Sequence, residues 1–341
     1  MKAAVYKGNH TIVLEEVAIP SIGSDDILVK IMACGICGTD VHIFEGSEGA
    51  AQTTPPVILG HEFSGIVEKV GLNVKHIRVG DRISVDPNNI CGSCYYCQNG
   101  IAHFCENMIG YGTTTDGGFA QYWAGNSKQA YLLADSISFA EGAMVEPIAC
   151  CLHGIDCCEI NSGSTVMVIG GGTIGLIMIQ LAKLAGATTV IVSEPIKEKR
   201  DLALKVGADI AIDTLNEDVQ VILDQHHITR INTVIECVGL KVTMQDAIKY
   251  AGKNSVVMLF GLGNPNDEIH VKPFELFKKE VTIKASFINP YTQSRALDIL
   301  KSGKLDIKTL ISHEIKLEEL AGVLDNPEKR NYGKVIVNPF K

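Results

Sequence analysis

Four closely spaced cysteines, in the segment CGSCYYCQNGIAHFC, form the densest cluster of potential metal ligands in the sequence. Their spacing, C-x2-C-x2-C-x7-C, brings four soft thiolates into one loop, which suits a closed tetrahedral zinc site with no open position for substrate. A nucleic-acid-binding zinc module is disfavoured because the loop contains no Lys or Arg. We therefore predict a structural zinc site with the ligands Cys91, Cys94, Cys97 and Cys105.

A glycine-rich segment, VMVIGGGTIG, matches the pattern G-x-G-x-x-G. It follows an apolar strand pattern and begins a helix pattern, and an acidic residue ends the next strand pattern, so the whole context indicates a dinucleotide-binding site. The glycines permit a tight turn and a close approach to a pyrophosphate, and the helix N-terminus adds amide donors. The predicted cofactor-binding residues are Gly170, Gly172, Thr173, Ile174, Gly175 and Glu194.

The acidic residue of this motif, Glu194, favours NAD over NADP. A carboxylate can accept hydrogen bonds from both ribose hydroxyls, and it repels a 2′-phosphate. Lys197, Lys199 and Arg200 follow closely and leave NADP as the alternative, but we interpret these cations as the solvated start of a helix.

A second group of potential metal ligands is divided between the motifs CGICGTDVH and LGHEFSG. Cys37, His61 and Glu62 offer one thiolate, one imidazole and one carboxylate. Three mixed ligands that leave room for water or substrate are typical of a catalytic zinc site. Taken singly, Cys37 could be a buried thiol and His61 a core histidine. Together, and beside a nicotinamide-cofactor motif, they favour catalytic zinc.

The composition is that of a globular protein and argues against several functional classes. The chain has 341 residues, a formal net charge of −9 and no long basic run, which disfavours nucleic acids and anionic membranes as partners. The N-terminal segment MKAAVYKGNHTIVLEE is too polar for a signal peptide, and no apolar run is long enough to span a membrane. Eleven cysteines in such a chain indicate metal binding rather than disulfides. We expect a cytoplasmic protein.

The elements that must position these residues fall into two patterns. The first half of the chain holds short β-branched runs separated by Gly and Pro, such as DILVKIMA and FSGIVEKVG, which predict a β-rich, barrel-like domain. Near residue 150 the pattern changes to alternating strands and helices, which predicts a doubly wound parallel sheet. The C-terminal segment ends in a strand pattern, GKVIVNP, and we expect it to return to the first domain.

The motifs CGICGTDVH, GHEFSG, the four-cysteine segment, DGGFAQY, EPIA and VIGGGTIG occur in this order. Over essentially the whole chain they resemble the zinc-dependent medium-chain dehydrogenase/reductase family, and within it the polyol (sorbitol-type) and threonine dehydrogenase branch. The resemblance implies an α/β fold with a GroES-like, β-rich catalytic domain (residues 1–148 and 289–341) and a doubly wound, Rossmann NAD-binding domain (residues 149–288). It also implies two Zn²⁺ per subunit, one catalytic and one structural, both in the first domain.

The resemblance assigns roles at the catalytic zinc. It implies that Cys37, His61 and Glu62 are zinc ligands. Glu146, in the motif EPIA, falls where other zinc alcohol dehydrogenases have a second cysteine ligand. In the polyol and threonine branch this position is acidic, which implies that Glu146 binds zinc directly, or acts through water and exchanges with Glu62.

A proton relay is also implied by the resemblance. Thr39 would take the proton of the substrate hydroxyl and pass it, by way of the nicotinamide ribose, to His42, whose ordinary pKa lies near neutrality. Asp40 would orient the metal ligands from behind, because a metal-bound histidine usually donates its other N–H to a carboxylate.

The expected substrate is a small molecule with adjacent hydroxyls, because carboxylates around the zinc suit a substrate that chelates or hydrogen-bonds beside the reacting carbon. After CGTDVHI the chain continues FEGSEGAAQTTPP and lacks the tryptophan-containing acidic segment expected of threonine dehydrogenases. Its single tryptophan is Trp123. We therefore predict NAD-dependent oxidation of a secondary hydroxyl of a sugar alcohol, another polyol or a sugar acid to a ketone.

Other functions stay open at this point. An L-threonine 3-dehydrogenase, or a dehydrogenase of secondary alcohols or butanediol, would use the same zinc site. A zinc-binding protein that responds to NAD without catalysis is the alternative of another class. The family resemblance further implies a homodimer or homotetramer.

Overall fold

The computed structural model describes residues 1–47, 52–330 and 332–341. The chain divides into two compact units. The first comprises Met1–Ala149, Pro290–Gly303 and Ile307–Lys341. The second comprises Cys150–Asn289 and Lys304–Asp306.

The first unit is built mainly from short strands, as the β-branched runs between glycines predicted. Its strands are β1 (Lys2–Gly8), β2 (Thr11–Glu16), β3 (Asp26–Gly35), β4 (Val57–Ile58), β5 (Glu62–Val70), β6 (Arg82–Val85), β7 (Asn88–Asn89), β8 (Ile109–Gly110), β9 (Tyr122–Asn126), β10 (Ala130–Leu132), β17 (Ile311–Lys316) and β18 (Lys334–Asn338). The main sheet has the order β10-β6-β5-β3-β18-β17, and β9 also pairs with β3. Strand β3 is the centre of this sheet, since it pairs antiparallel with β5, β9 and β18.

Five α-helices of this unit accompany these strands among the described residues. They are α1 (Gly38–Phe44), α2 (Tyr95–Gln98), α3 (Phe139–Ala143), α10 (Gln293–Lys301) and α11 (Leu320–Leu324). A further helix, α4 (Val145–Cys157), begins in this unit and continues into the second, which starts at Cys150. The unit's core is apolar and includes Phe63 and Trp123, whose rings pack edge to face with centroids 5.2 Å apart. Burial of such large side chains is the main favourable contribution to the unit's stability.

The second unit is a parallel sheet with helices between its strands, which confirms the predicted doubly wound architecture. Its strands are β11 (Thr165–Ile169), β12 (Thr189–Ser193), β13 (Ile210–Ile212), β14 (Thr233–Glu236), β15 (Val256–Leu259) and β16 (Thr282–Ala285). Its helices are α5 (Thr173–Leu184), α6 (Lys197–Lys205), α7 (Val219–Gln225), α8 (Lys241–Tyr250) and α9 (Pro273–Lys279). The strand order is β13-β12-β11-β14-β15-β16, and each neighbouring pair is parallel.

Strands β11, β12 and β14 are almost entirely buried and are near-continuous runs of Val, Ile, Met and Thr. This composition is typical of a parallel sheet covered on both faces. In the part of the chain that the structure describes, no helix is both long enough and apolar enough to cross a membrane.

Candidate active site and metal centres

Two neighbouring strands bring the predicted catalytic ligands together. Strand β3 ends at Gly35, and Cys37 directly precedes helix α1. Strand β5 begins at Glu62, next to His61, and pairs with β3 so that Gly35 lies opposite Glu62. As a result, the potential ligand atoms of Cys37, His61 and Glu62 all lie within 4.8 Å of one another.

Asp40 contacts two of these residues. Its Oδ2 accepts a hydrogen bond from the backbone N–H of Cys37 at 2.8 Å, which closes the first turn of α1. Its Oδ1 lies 3.4 Å from His61 Nδ1, an ion-pair distance rather than a well-formed hydrogen bond. Burial disfavours the charged imidazolium, but the negative charges of Asp40 and Cys37 outweigh this effect and raise the pKa of His61 well above its usual value. A metal that binds the neutral ring would therefore displace a proton.

The donor set fits a catalytic zinc ion. Asp40 Oδ1 and His61 Nδ1 are buried polar atoms without a hydrogen-bond partner among the described residues, and buried polar atoms normally have one. Metal binding at the opposite ring nitrogen would fix the tautomer in which Nδ1–H donates to Asp40. One thiolate, one imidazole and one carboxylate are also ligand types that zinc accepts.

Lys334 is a site residue that the sequence analysis missed. Its ammonium donates to both carboxylate oxygens of Glu62, at 2.7 Å to Oε1 and 2.6 Å to Oε2. The two side chains are only 5% and 1% exposed. Burial disfavours the charged ammonium, but the neighbouring charges of Glu62 and Cys37 outweigh burial and raise the pKa of Lys334. The sequence feature that could have indicated this site residue is a lysine at the start of the otherwise apolar strand KVIVN.

Glu146 lies near this group without belonging to it. It is in the first turn of α4 and is 7% exposed. It is not one of the three residues whose ligand atoms lie within 4.8 Å of one another. Its negative charge nevertheless contributes to the raised pKa of Lys334. Whether Glu146 ligates zinc directly or through water stays a prediction.

The two residues of the predicted proton relay lie on helix α1. Thr39 and His42 are both half-buried. They are three residues apart in the helix, so their side chains project from the same face, one turn apart. This placement allows a relay, and the roles themselves stay predictions.

The four cysteines of the C-x2-C-x2-C-x7-C segment converge as a second metal centre. All four Sγ atoms lie within 4.8 Å of one another. The Sγ atoms of Cys94 and Cys97 are 3.6 Å apart, far longer than the S–S bond of a disulfide. No ligand position in this set is left for substrate, so the group fits a structural zinc ion.

The thiols of this lobe have unequal proton affinities. Hydrogen bonds from Ser93 and from the backbone of Cys94 lower the pKa of Cys91 to about 5. Desolvation, together with the neighbouring sulfurs, raises the pKa of Cys97 to about 12. Because zinc binds thiolates, metal uptake at neutral pH must release at least the proton of Cys97.

The glycine motif forms the turn between strand β11 and helix α5. Gly170 has a φ of +99°, a conformation that favours glycine. A Cβ at Gly175 would collide with the carbonyl oxygen of Gly170, so this position needs glycine for strand and helix to pack. Gly172 directly precedes α5 and has no atom within 4 Å of where its Cβ would lie. That open space, with Thr173 and Ile174 starting the helix, fits a pyrophosphate on the helix N-terminus.

Glu194 follows strand β12 and is 5% exposed. Its carboxylate folds over the glycine turn, where Oε2 accepts from the N–H of Gly171 at 2.7 Å and Oε1 accepts from the N–H of Ile196 at 2.9 Å. Each oxygen has a second lone pair, so contacts with a ribose remain possible.

The interpretation of the three following cations as a solvated helix start is wrong for Arg200. Its guanidinium donates to the backbone carbonyls of Glu194 and Pro195 at 2.8 and 2.7 Å. It also pairs with Asp213 at 2.8 Å. Lys197, which pairs with Asp201 at the surface, does fit that interpretation. Arg200 is therefore occupied in fixing the loop that follows Glu194.

Comparisons with known proteins cover almost the whole chain. The family model of the alcohol dehydrogenase GroES-like domain matches residues 23–135, and that of the zinc-binding dehydrogenase matches residues 173–302. The first match contains both cysteine-containing metal groups, and the second begins inside the glycine motif.

Similar proteins include dehydrogenases of two substrate types. D-arabinitol dehydrogenase 1 of Uromyces fabae is 32% identical, over 99% of this chain and 97% of its own. L-threonine 3-dehydrogenase of Caldanaerobacter subterraneus subsp. tengcongensis is 34% identical, over 94% of this chain and 93% of its own. A solved structure from Sinorhizobium meliloti 1021, assigned as a zinc-binding dehydrogenase and bound to NADP, is 40% identical over 99% of both chains, with a TM-score of 0.94.

Proposed function

The chain belongs to the zinc-dependent medium-chain dehydrogenase/reductase family, in its polyol and threonine dehydrogenase branch, and from this premise we propose that it oxidises a secondary hydroxyl of a polyol to a ketone with NAD. The polyol would be a sugar alcohol, or the substrate a sugar acid of similar shape. The observation that carries the proposal is that the potential ligand atoms of the half-buried Cys37 and the buried His61 and Glu62 lie within 4.8 Å of one another. These three residues would hold the catalytic metal, with Glu146 close by.

The chemistry of the site follows from what its residues can donate and accept. When bound, zinc supplies a Lewis acid that lowers the pKa of a substrate hydroxyl. Asp40 keeps the His61 ring oriented, and its bond to the Cys37 N–H fixes the backbone that carries the thiolate. The Thr39 hydroxyl would accept the substrate's hydroxyl proton as it gives up its own, and His42 would take up the proton that is passed on and release it towards solvent.

The carboxylate group near the metal is what favours a polyol. Both Glu62 oxygens accept from Lys334, but each has a second lone pair, and Glu146 adds another carboxylate where other zinc alcohol dehydrogenases have a cysteine. Such acceptors suit a substrate with a second hydroxyl next to the reacting carbon. Similarity to D-arabinitol dehydrogenase 1 supports the polyol class, whereas similarity to L-threonine 3-dehydrogenase keeps an amino alcohol as the second candidate.

The segment FEGSEGAAQTTPP, on which the sequence-based preference for polyols over L-threonine rests, is only partly covered by the structure. Its residues 48–51 lie outside the described residues. The choice between the two substrates is therefore a matter for assay.

The direct test is NAD⁺ reduction, followed as NADH absorbance, over a substrate panel. The panel contains sorbitol, xylitol, ribitol, arabitol, galactitol, sugar acids, L-threonine, 2,3-butanediol and 2-propanol, with NADP⁺ run in parallel. We expect turnover on polyols or sugar acids. Turnover confined to L-threonine would keep the zinc site and replace the substrate class, and no turnover on any secondary alcohol would refute an enzymatic function.

We also propose that the protein is a homodimer or homotetramer. Strand β16 lies at one edge of the parallel sheet, and among the described residues β15 is its only strand partner. Exposed apolar side chains lie on or near it, including Ile283, Phe277 and Phe287, which are 36%, 80% and 38% exposed. An edge strand with such neighbours is a template for pairing with a second copy. Light scattering after gel filtration would give the mass, and a monomer would refute the proposal.

A cytoplasmic location is likewise our proposal. None of the eleven cysteines forms a disulfide, and six of them lie outside both metal groups. Thiols of this number would be prone to oxidation in a secretory compartment. Fractionation of the native cells would test it, and recovery from a secreted fraction would contradict it.

A further inference from the structure

Two acidic residues end neighbouring strands at the edge of the sheet where the coenzyme is expected. Glu194 directly follows β12, and Asp213 directly follows β13. The two strands are parallel, with Ser193 opposite Ile212, and the N–H of Glu194 donates to the carbonyl of Ile212 at 3.1 Å. Glu194 and Asp213 therefore lie at the same carboxyl edge of the parallel sheet, where open α/β sheets bind their ligands.

One arginine connects these two positions. The Nη1 of Arg200 donates to the backbone carbonyls of Glu194 and Pro195 at 2.8 and 2.7 Å. Its Nη2 donates to Asp213 Oδ2 at 2.8 Å, and the two side chains are only 14% and 18% exposed. Each Nη carries two N–H groups, so the two carbonyls use the Nη1 end of the guanidinium while Asp213 holds the Nη2 end.

Asp213 is itself held in place by a turn. Its Oδ1 accepts from the N–H of Leu215 at 3.1 Å, and its Oδ2 accepts from the side-chain amide of Asn216 at 3.1 Å. The N–H of Asp213 donates to Glu217 Oε2 at 2.7 Å. The hydrogen bond from Asn216 is the largest effect that lowers the pKa of Asp213, and the charge of Arg200 adds to it. The carboxylate is therefore ionised at neutral pH and faces Arg200 with a full negative charge.

The position of Arg200 bears on the choice between the two coenzymes. NADP differs from NAD by a phosphate on the ribose that Glu194 would hold, and an arginine near that ribose is suited to bind such a phosphate. Arg200 is close to this place, since it donates to the carbonyl of Glu194, but its Nη2 end is paired with Asp213. A phosphate would have to displace a carboxylate that is already bound there, and both acidic residues would repel it.

We propose that Asp213 is a positioning residue for coenzyme selection, which holds the Arg200 guanidinium on the loop after Glu194 and keeps it from binding the 2′-phosphate of NADP. This inference rests on the proposed function, because it takes the glycine turn and Glu194 as the coenzyme site. It explains how a chain with an arginine beside this site can prefer NAD. The preference then depends on two carboxylates, on Glu194 through the ribose and on Asp213 through Arg200.

The test measures the dissociation constants of NADH and NADPH for the purified, zinc-containing protein, from the change in coenzyme fluorescence on binding. Asp213→Asn keeps an acceptor for the N–H of Leu215 but replaces the second oxygen with an amide nitrogen, which cannot accept from Arg200. The freed Nη2 should then bind the 2′-phosphate. We expect the Kd of NADPH to fall by about tenfold or more relative to that of NADH.

Two controls isolate this effect. Asp201→Asn removes one negative charge from helix α6, where Asp201 pairs with Lys197 at the surface, and should leave the ratio of the two Kd values within about twofold of the wild type. The double variant Asp213→Asn/Arg200→Gln should lose the gain in NADPH binding, because the arginine that binds the phosphate is gone. General loosening of the loop would weaken both coenzymes and so cannot produce a selective gain for NADPH.

Arg200→Gln alone keeps the proposal testable if Asp213→Asn does not fold. While Asp213 holds Arg200, the arginine should not contact the phosphate, so this substitution should leave the Kd ratio within about threefold even if both coenzymes bind more weakly. An unchanged ratio in a folded Asp213→Asn protein would overturn the proposal. So would a selective loss of NADPH binding by about tenfold or more in Arg200→Gln, since it would show that Arg200 already binds the phosphate.

The wild-type protein separates failure of this inference from failure of the proposed function. If it binds neither NADH nor NADPH, the proposed use of a nicotinamide coenzyme is wrong. If it binds NADH and oxidises its substrate, but Asp213→Asn shows no gain in NADPH binding, only the role of Asp213 is refuted.

Discussion

Asp40 shows how single residues prepare the catalytic group. It is fully buried, yet its carboxylate sits in the first turn of helix α1, where the helix dipole and the backbone N–H of Cys37 stabilise negative charge. The same carboxylate faces His61 Nδ1. One side chain therefore links the position of a thiolate to the orientation of an imidazole, so the two ligands are fixed relative to each other.

Glu194 gives a prediction at the same scale. We expect Glu194→Ser to raise the ratio of kcat/KM with NADP⁺ to kcat/KM with NAD⁺ by about tenfold or more, because a charge that repels the 2′-phosphate is removed. Since Glu194 also accepts from the N–H groups of Gly171 and Ile196, KM should rise for both coenzymes, and the ratio is the informative quantity.

The matched control is Asp201→Ser. This exposed residue of helix α6 pairs with Lys197 at the surface, and its loss should leave the coenzyme ratio unchanged. A ratio that stays constant in Glu194→Ser as well would show that another group discriminates between the coenzymes.

At the scale of elements, short-range patterns could be predicted and long-range pairing could not. The turn at Gly170 and the four-cysteine lobe are each formed by residues that are close together in the sequence. Their function as a cofactor-binding turn and a metal site could therefore be predicted from the sequence. Lys334 is 272 residues from Glu62 in the chain and meets it only because β18 pairs with β3. That strand pairing cannot be predicted from a single sequence.

Some elements were missed for local reasons. Helix α4 contains Pro147 and the adjacent pair Cys150 and Cys151, and neither residue type is a strong helix former, so the sequence does not show a clear helix pattern there. The helix there depends on packing against the rest of the protein and not on the helix propensity of its residues. Strand β13 has only three residues, Ile210–Ile212, which is too short for an alternation of apolar and polar side chains to be recognised.

The four-cysteine lobe gives a prediction for an element. Its only α-helix, α2, has four residues and none of them is buried, so the lobe has little apolar core of its own. We expect Cys94→Ser to lose one zinc ion per chain and to lower the melting temperature, while kcat at a temperature where the variant is folded stays within about threefold of the wild type. Metal analysis, thermal unfolding and initial rates would measure these three quantities.

Cys150→Ser is the control for this substitution, because Cys150 is a half-buried thiol outside both metal groups. It should keep both zinc ions. An unchanged melting temperature with full zinc content in Cys94→Ser would contradict the structural role of the lobe.

At the scale of the whole molecule, each unit carries a separate part of the predicted chemistry. Both metal groups lie in the first unit, and the glycine turn with Glu194 lies in the second. The domain limits inferred from the resemblance, 148/149 and 288/289, stay predictions. The division means that metal binding and cofactor binding can be impaired independently, which the central test uses.

That test is zinc content and turnover of Cys37→Ser on the substrate that the panel identifies. We predict that zinc falls from two ions to one per chain and that kcat/KM drops by about 10³-fold or more. NADH binding, measured by its fluorescence, should stay within about twofold of the wild type, because the glycine turn is unaltered. A Cys37→Ser protein that keeps two zinc ions and full turnover would contradict the assignment of the catalytic site.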